Sequence, residues 1–143
     1  MISFRPGSTL PDLRRPARFG IARLATIRRL DLATLRAAWW TFASLRATRK
    51  ALRTRSIGAI VVDRPPELPA QASRGVHAVL RRTSSTCLER ALVLQRWLAA
   101  QGVEKDVIVG VTGRDNFRAH AWLEGESVDV RFQELMRFGP PLN

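Results

Sequence analysis

Apolar residues recur along this chain at two spacings. Leu32, Leu35, Trp39, Phe42 and Leu45 follow one another at intervals of three and four, the pattern of a helical face pressed against a core. Trp39 is expected to pack this helix while the adjacent Trp40 points elsewhere. Arg46, Arg49, Lys50 and Arg53 continue the spacing with charge, a stripe that reads as a solvated helix end or as a docking surface. Ahead of it, Pro6, Pro11 and Pro16 predict an irregular lead-in over residues 5–20. Behind it, Ile60-Val61-Val62 predicts a short strand or a linker buried by its apolar residues, and Pro65 to Pro69 breaks regular structure. A short helix is predicted over Val76–Arg82. A second, apolar almost all round, runs from Cys87 to about Gln101 with Gly102 as its stop, as expected for a buried central helix.

From residue 107 the period changes to that of strands. Val107–Val111, Phe117–Glu124 and Val128–Phe132 read as three strands, separated by turns at Thr112–Asn116 and Gly125–Ser127. On the second, His120, Trp122 and Glu124 share one face; Ala119, Ala121 and Leu123 take the other, where small side chains leave room for a helix. Folding the third strand back antiparallel to the second brings Asp129 toward His120. Helices followed by strands give an α+β chain, with a cysteine-bearing helix packed on a small antiparallel sheet.

Composition divides the chain near residue 57, into a basic helical region 1–56 and a domain 57–143. Residues 1–55 hold thirteen basic side chains against Asp12 and Asp31, whereas residues 56–143 hold eleven basic and ten acidic ones. Such an extension suits nucleic acid, an anionic membrane surface or an acidic protein or peptide. Arginine supplies 22 of the 24 basic residues, which a GC-rich coding bias explains in part, so no specific nucleic-acid role is assigned. One cysteine excludes an intramolecular disulfide. With two histidines it falls short of a four-ligand zinc set unless carboxylates complete it, and neither metal nor cofactor is expected. A free thiol suits the reducing cytosol. The N-terminus lacks the apolar core of a signal peptide, and the run Ala37–Leu45 is too short to span a bilayer.

Chemistry concentrates at Cys87. Thr86 followed three positions later by Glu89 forms a capping box, which puts Cys87 at the first helical position. The unpaired N–H groups and positive dipole end there favour a thiolate over a thiol and point toward a developing oxyanion. Cys87, His120 and Asp129 supply the nucleophile, imidazole and orienting carboxylate of a thiol hydrolase or amide-transferring enzyme. Each also has an ordinary reading: a cysteine as a small buried hydrophobe, a strand histidine as a hydrogen-bonded structural residue, an aspartate as a solvent-facing one. His77 has no partner in sequence and is left unassigned, and Trp97 and Trp122 are expected in the core.

The segments Cys87-Leu88-Glu89-Arg90-Ala91-Leu92-Val93-Leu94-Gln95-Arg96-Trp97-Leu98, Gly102-Val103, Val109-Gly110-Val111 and Phe117-Arg118-Ala119-His120-Ala121-Trp122-Leu123-Glu124 resemble the transglutaminase-like leader peptidases of lasso-peptide biosynthesis. The resemblance covers roughly residues 75–138 and implies a transglutaminase-like, papain-like core. It implies a cytoplasmic cysteine protease that removes the leader from a ribosomally made precursor, so that a separate ATP-dependent cyclase closes the macrolactam. Cys87 would be the nucleophile, His120 the general acid/base and Asp129 its orienter. Asp129 lies closer to His120 than the family pattern suggests, leaving Glu124 and Glu126 as alternates. The family reads leaders through a small recognition module. Residues 1–55 look unlike such a strand-rich module, so a stand-alone peptidase working with a separate recognition protein is expected, with the cationic helix as its docking surface or the leader's. Acyl transfer to an amine, and a non-catalytic binding module using the basic helix, are the competing readings.

Overall fold

The computed structural model describes residues 31–113 and 117–140. The expected lead-in over residues 5–20, the remainder of the arginine-rich stretch before Asp31 and the turn residues 114–116 lie outside them.

Helix α1 (Leu32–Leu52) starts at Asp31, whose Oδ1 accepts the Thr34 N–H at 2.7 Å. Its buried face is not the apolar stripe. Ala37, Trp40 and Leu45 point inward together with Thr34, Thr41, Ser44 and Thr48, whereas Leu32, Leu35, Trp39 and Phe42 face solvent. The expected roles of the two tryptophans are therefore reversed: Trp39 is 72% exposed, and Trp40, 8% exposed, lies with its ring centroid 5.8 Å from that of Trp97. At Thr34 and Ala38 the backbone lies close against Gly75, an approach that larger side chains would block. The buried Thr41 hydroxyl donates to the Ala37 carbonyl at 2.8 Å, so it enters the core satisfied.

Helix α2 (Ser73–Arg82) crosses α1 at Gly75, where a Cβ would collide with the Thr34 carbonyl oxygen. Between the two helices the chain is irregular apart from short 3-10 turns at Ile57–Ala59 and Ala70–Ala72. Ile60–Val62 forms no strand; it is a linker that buries Val62. Helix α3 (Cys87–Ala100) follows, central and largely buried as its composition requires, and it stops before Gly102, which adopts a φ of +77°.

Three antiparallel strands complete the described residues, β1 (Val107–Val111), β2 (Ala119–Leu123) and β3 (Gln133–Phe138), in the order β2-β1-β3. The third strand thus departs from expectation twice. It begins after Phe132, and it pairs with β1, not with β2. Residues 128–132 are the connection that carries the chain past β1 to its free edge, and the alternation of Val128, Val130 and Phe132 leaves Val130 exposed. Buried Gln95 of α3 ties the helix to the sheet, donating to the carbonyls of Lys105 and Phe138 at 2.9 and 3.0 Å. Ala37, Trp40 and Leu45 of α1 belong to the same core as Val76, Val93, Trp97, Val107 and Leu123, so apolar packing runs across the charge boundary near residue 57.

Candidate active site

Thr86 and Glu89 form both bonds of the capping box. The Glu89 N–H donates to Thr86 Oγ1 at 3.2 Å, and the Thr86 N–H donates to Glu89 Oε2 at 3.1 Å. Cys87 is therefore the first residue of α3. Among the described residues, no hydrogen bond engages the N–H groups of Cys87 and Leu88, the orphan donors that the start of any helix leaves over.

A longer-range support holds this helix start. Arg49 of α1 donates to both carboxylate oxygens of Glu89, each at 3.0 Å, and to the Ser84 carbonyl at 2.9 Å. It thereby leaves the expected cationic stripe and clamps the turn into Cys87. The Arg49 guanidinium, followed by the Thr86 N–H, holds the Glu89 carboxyl below its ordinary value against an opposing effect of burial. A depressed native pKa contributes stability that is present above the unfolded-state value, about 4.3, and is lost as pH falls through the native one. Glu89→Gln is expected to cost about 1–2 kcal/mol at neutral pH. The gap to the wild type should close on acidification, read by urea denaturation across pH.

His120 sits on β2, paired in register with Gly110 of β1. Its ring centroid lies 5.9 Å from that of Trp122, stacked with the planes 18° from parallel, and 5.3 Å from that of Phe132. Trp122 is half-buried and serves this site, not the deep core. Gly110 makes the stack possible, because a Cβ there would come within 2.6 Å of the Trp122 ring and 2.7 Å of the Gln133 carbonyl oxygen. Gly110→Ala is expected to displace Trp122 and to cost about 1–3 kcal/mol by overpacking. A combined thermal melt and activity assay should find both lowered, with activity falling further than the loss of folded protein explains.

Cys87 and His120 line one cavity of about 430 Å³, together with His77, Ser85, Arg90, Trp122 and Glu126 among others. His77 of α2, unassigned from sequence, is thus a wall of the site, as is Arg90, one turn beyond Cys87. Only their helical phase could have hinted at it, and phase does not say which neighbour a helix meets. The Ser85 hydroxyl is buried in this wall and has no hydrogen-bond partner among the described residues.

The three carboxylates considered from sequence are placed differently. Asp129 lies in the β2–β3 connection with both oxygens bound by the Arg131 guanidinium, the shortest contact being 2.6 Å, and that side-chain bond holds its pKa at about 2. Glu124 accepts from Arg137 of β3 at 2.9 Å. Glu126 lines the cavity and accepts the Leu123 N–H at 3.1 Å. Among the described residues, none of the three is hydrogen-bonded to His120, whose link to the Asp129 segment is the ring of Phe132.

A helix-borne cysteine beside a strand-borne histidine, on a small antiparallel sheet, is the arrangement of transglutaminase-like enzymes. The sequence model of the transglutaminase-like superfamily matches residues 14–140, and the chain belongs to that superfamily. No curated protein and no solved structure matches the chain. Membership allows cysteine peptidase or acyl-transfer chemistry, which the superfamily includes. No helix among the described residues is long and apolar enough to cross a membrane, and no group of three or more His, Cys, Asp or Glu side chains among them is placed to hold a metal ion.

Proposed function

We propose that this protein is a cysteine peptidase that removes the leader from a lasso-peptide precursor, before a separate ATP-dependent cyclase forms the macrolactam. The observation that carries the reading is the opening of Cys87, at the capped start of α3, into the same cavity as His120. The sequence resemblance to the leader-peptidase branch supplies the substrate class. Cys87 Sγ attacks the carbonyl carbon of the scissile peptide, and the resulting oxyanion is met by the free N–H groups of Cys87 and Leu88. The imidazole of His120 takes the thiol proton and returns it to the leaving amine. Water, activated by the same imidazole, then hydrolyses the thioester and frees Cys87.

Orientation of His120 falls to Asp129, whose segment already reaches the ring through Phe132 and whose carboxylate exchanges Arg131 for the imidazole. Even at the ordinary aspartate value of about 3.9, reached once Arg131 is released, it is ionised throughout the range in which an imidazole cycles. Asp129→Asn is expected to lower kcat on the order of 10²–10⁴-fold with KM little changed, and Glu126→Gln to do much less. The opposite order in steady-state assays would transfer the role to Glu126.

The test is reconstitution of the full chain with precursor peptide and the leader-recognition protein, followed by mass analysis. One cut at the leader–core junction, with addition of water, is expected, and it should depend on the recognition protein. Intact precursor under these conditions would overturn the reading. A product carrying an added amine in place of water would establish acyl transfer instead.

A further inference from the structure

The apolar stripe of α1 remains unexplained by the fold. Leu32, Leu35, Trp39 and Phe42 lie on one helical face, all exposed, with Leu32 and Trp39 more than two-thirds so. Arg46, Lys50 and Arg53 prolong the same face, all exposed, and the Arg46 guanidinium stands 5.9 Å from the centre of the Phe42 ring. Leu32–Leu52 contains no acidic residue. Beside the stripe runs an open depression of about 490 Å³ lined by Leu35, Arg36, Trp39, Trp40, Ala43 and Pro66, apolar walls with one cation.

We propose that this face of α1 seats the protein on an anionic lipid surface. Trp39, Phe42 and Leu35 enter the boundary between headgroups and acyl chains, and Arg36, Arg46 and Lys50 meet the phosphates. The chemistry is that of an interfacial helix, in which Trp, Phe and Leu lie beside Lys and Arg and the axis runs in the membrane plane. Tryptophan, with an apolar body and a polar edge, concentrates at that boundary. Charge complementarity favours lipid over an acidic protein. The positive excess extends over the whole of residues 1–55, which matches the spread charge of a bilayer better than a local set of carboxylates. α1 lies on the surface and does not cross it, since no described helix is long and apolar enough to span. No residue of α1 lines the cavity of Cys87 and His120, so the site stays open in the docked state.

The experiment is co-sedimentation of the full chain with vesicles of phosphatidylcholine alone or mixed with phosphatidylglycerol, at low and high salt, with tryptophan emission recorded in parallel. Wild type should sediment with the anionic vesicles, shift its emission to the blue as Trp39 leaves water, and be released by salt. Each neutralised cation should lower the partition roughly fivefold, so Arg46→Gln/Lys50→Gln should lower it about 25-fold. Trp39→Ser/Phe42→Ser should abolish the blue shift, with thermal midpoints near the wild type because both side chains are exposed. Failure to bind anionic vesicles overturns the proposal. So does equal binding by all variants, which would place the contact on arginines elsewhere in the chain. Self-association in vesicle-free light scattering, lost in Trp39→Ser/Phe42→Ser, would make a second copy the occupant. Vesicle binding untouched by the variants, while binding of the recognition protein is lost, would assign the face to that protein.

Discussion

Cys87→Ala is expected to abolish leader removal, lowering kcat/KM by about 10⁴–10⁶-fold, while the protein stays folded. Removing a catalytic nucleophile ends the covalent route, and what remains is rate enhancement from binding and from the oxyanion donors, which α3 keeps. The side chain is half-buried at a helix start whose capping box depends on Thr86 and Glu89, so the thermal midpoint should move little. His120→Ala should fall in the same direction by about 10²–10⁴-fold. Adding the two substitutions should cost little more than Cys87→Ala alone, because residues that act as one unit are not additive. Leader release followed by mass analysis gives the rates. Turnover by Cys87→Ala within tenfold of wild type would remove the hydrolase reading and leave the binding module in its place.

Trp97→Ala should produce the largest loss of stability, about 3–5 kcal/mol, out of the 5–15 kcal/mol typical of a single domain. Trp97 is 1% exposed on the inner side of α3, against Trp40 of α1. Its removal opens a cavity at the meeting of the two helices, lined by the Trp40 ring it leaves behind. Trp39→Ala, one residue from Trp40 in the chain, should change stability by about 0.5 kcal/mol or less. Urea denaturation at neutral pH measures both, with equal slopes expected if only the native state is affected. Equal losses from the two substitutions would mean that α1 is rotated about its axis from the orientation described.

Local signals were legible wherever a short stretch of chain sets its own geometry. The capping box at Thr86 and Glu89, the stop at Gly102 and the strand Val107–Val111 all depend on neighbours a few positions apart, and all are present. The alternation along β2 likewise separates His120 and Trp122 from the buried Ala121 and Leu123. Cys87 and His120 follow from these signals, since one marks a helix start and the other a strand face. Their shared cavity adds walls from α2, at His77, that no local spacing announces.

The remainder was decided by contacts between distant segments. Periodicity reports that α1 has an apolar stripe, but not which face the rest of the chain covers. The inward face went to Thr34, Ala37, Trp40, Thr41, Ser44, Leu45 and Thr48, with the backbone at Thr34 drawn against Gly75 and the Trp40 ring set against Trp97. The third strand, at Gln133–Phe138, paired with the outer edge of β1 and left the outer edge of β2 unpaired among the described residues, and that pairing placed Asp129 in a connection beside Arg131. By itself the sequence determined the cysteine-bearing helix, the first two strands and the placing of Cys87 at a helix start and His120 on a strand face, since hydrogen-bond capping and side-chain alternation are short-range. Tertiary structure alone decided which faces are covered, which edges pair and which carboxylates stand near His120, since these depend on the burial of surfaces far apart in the chain.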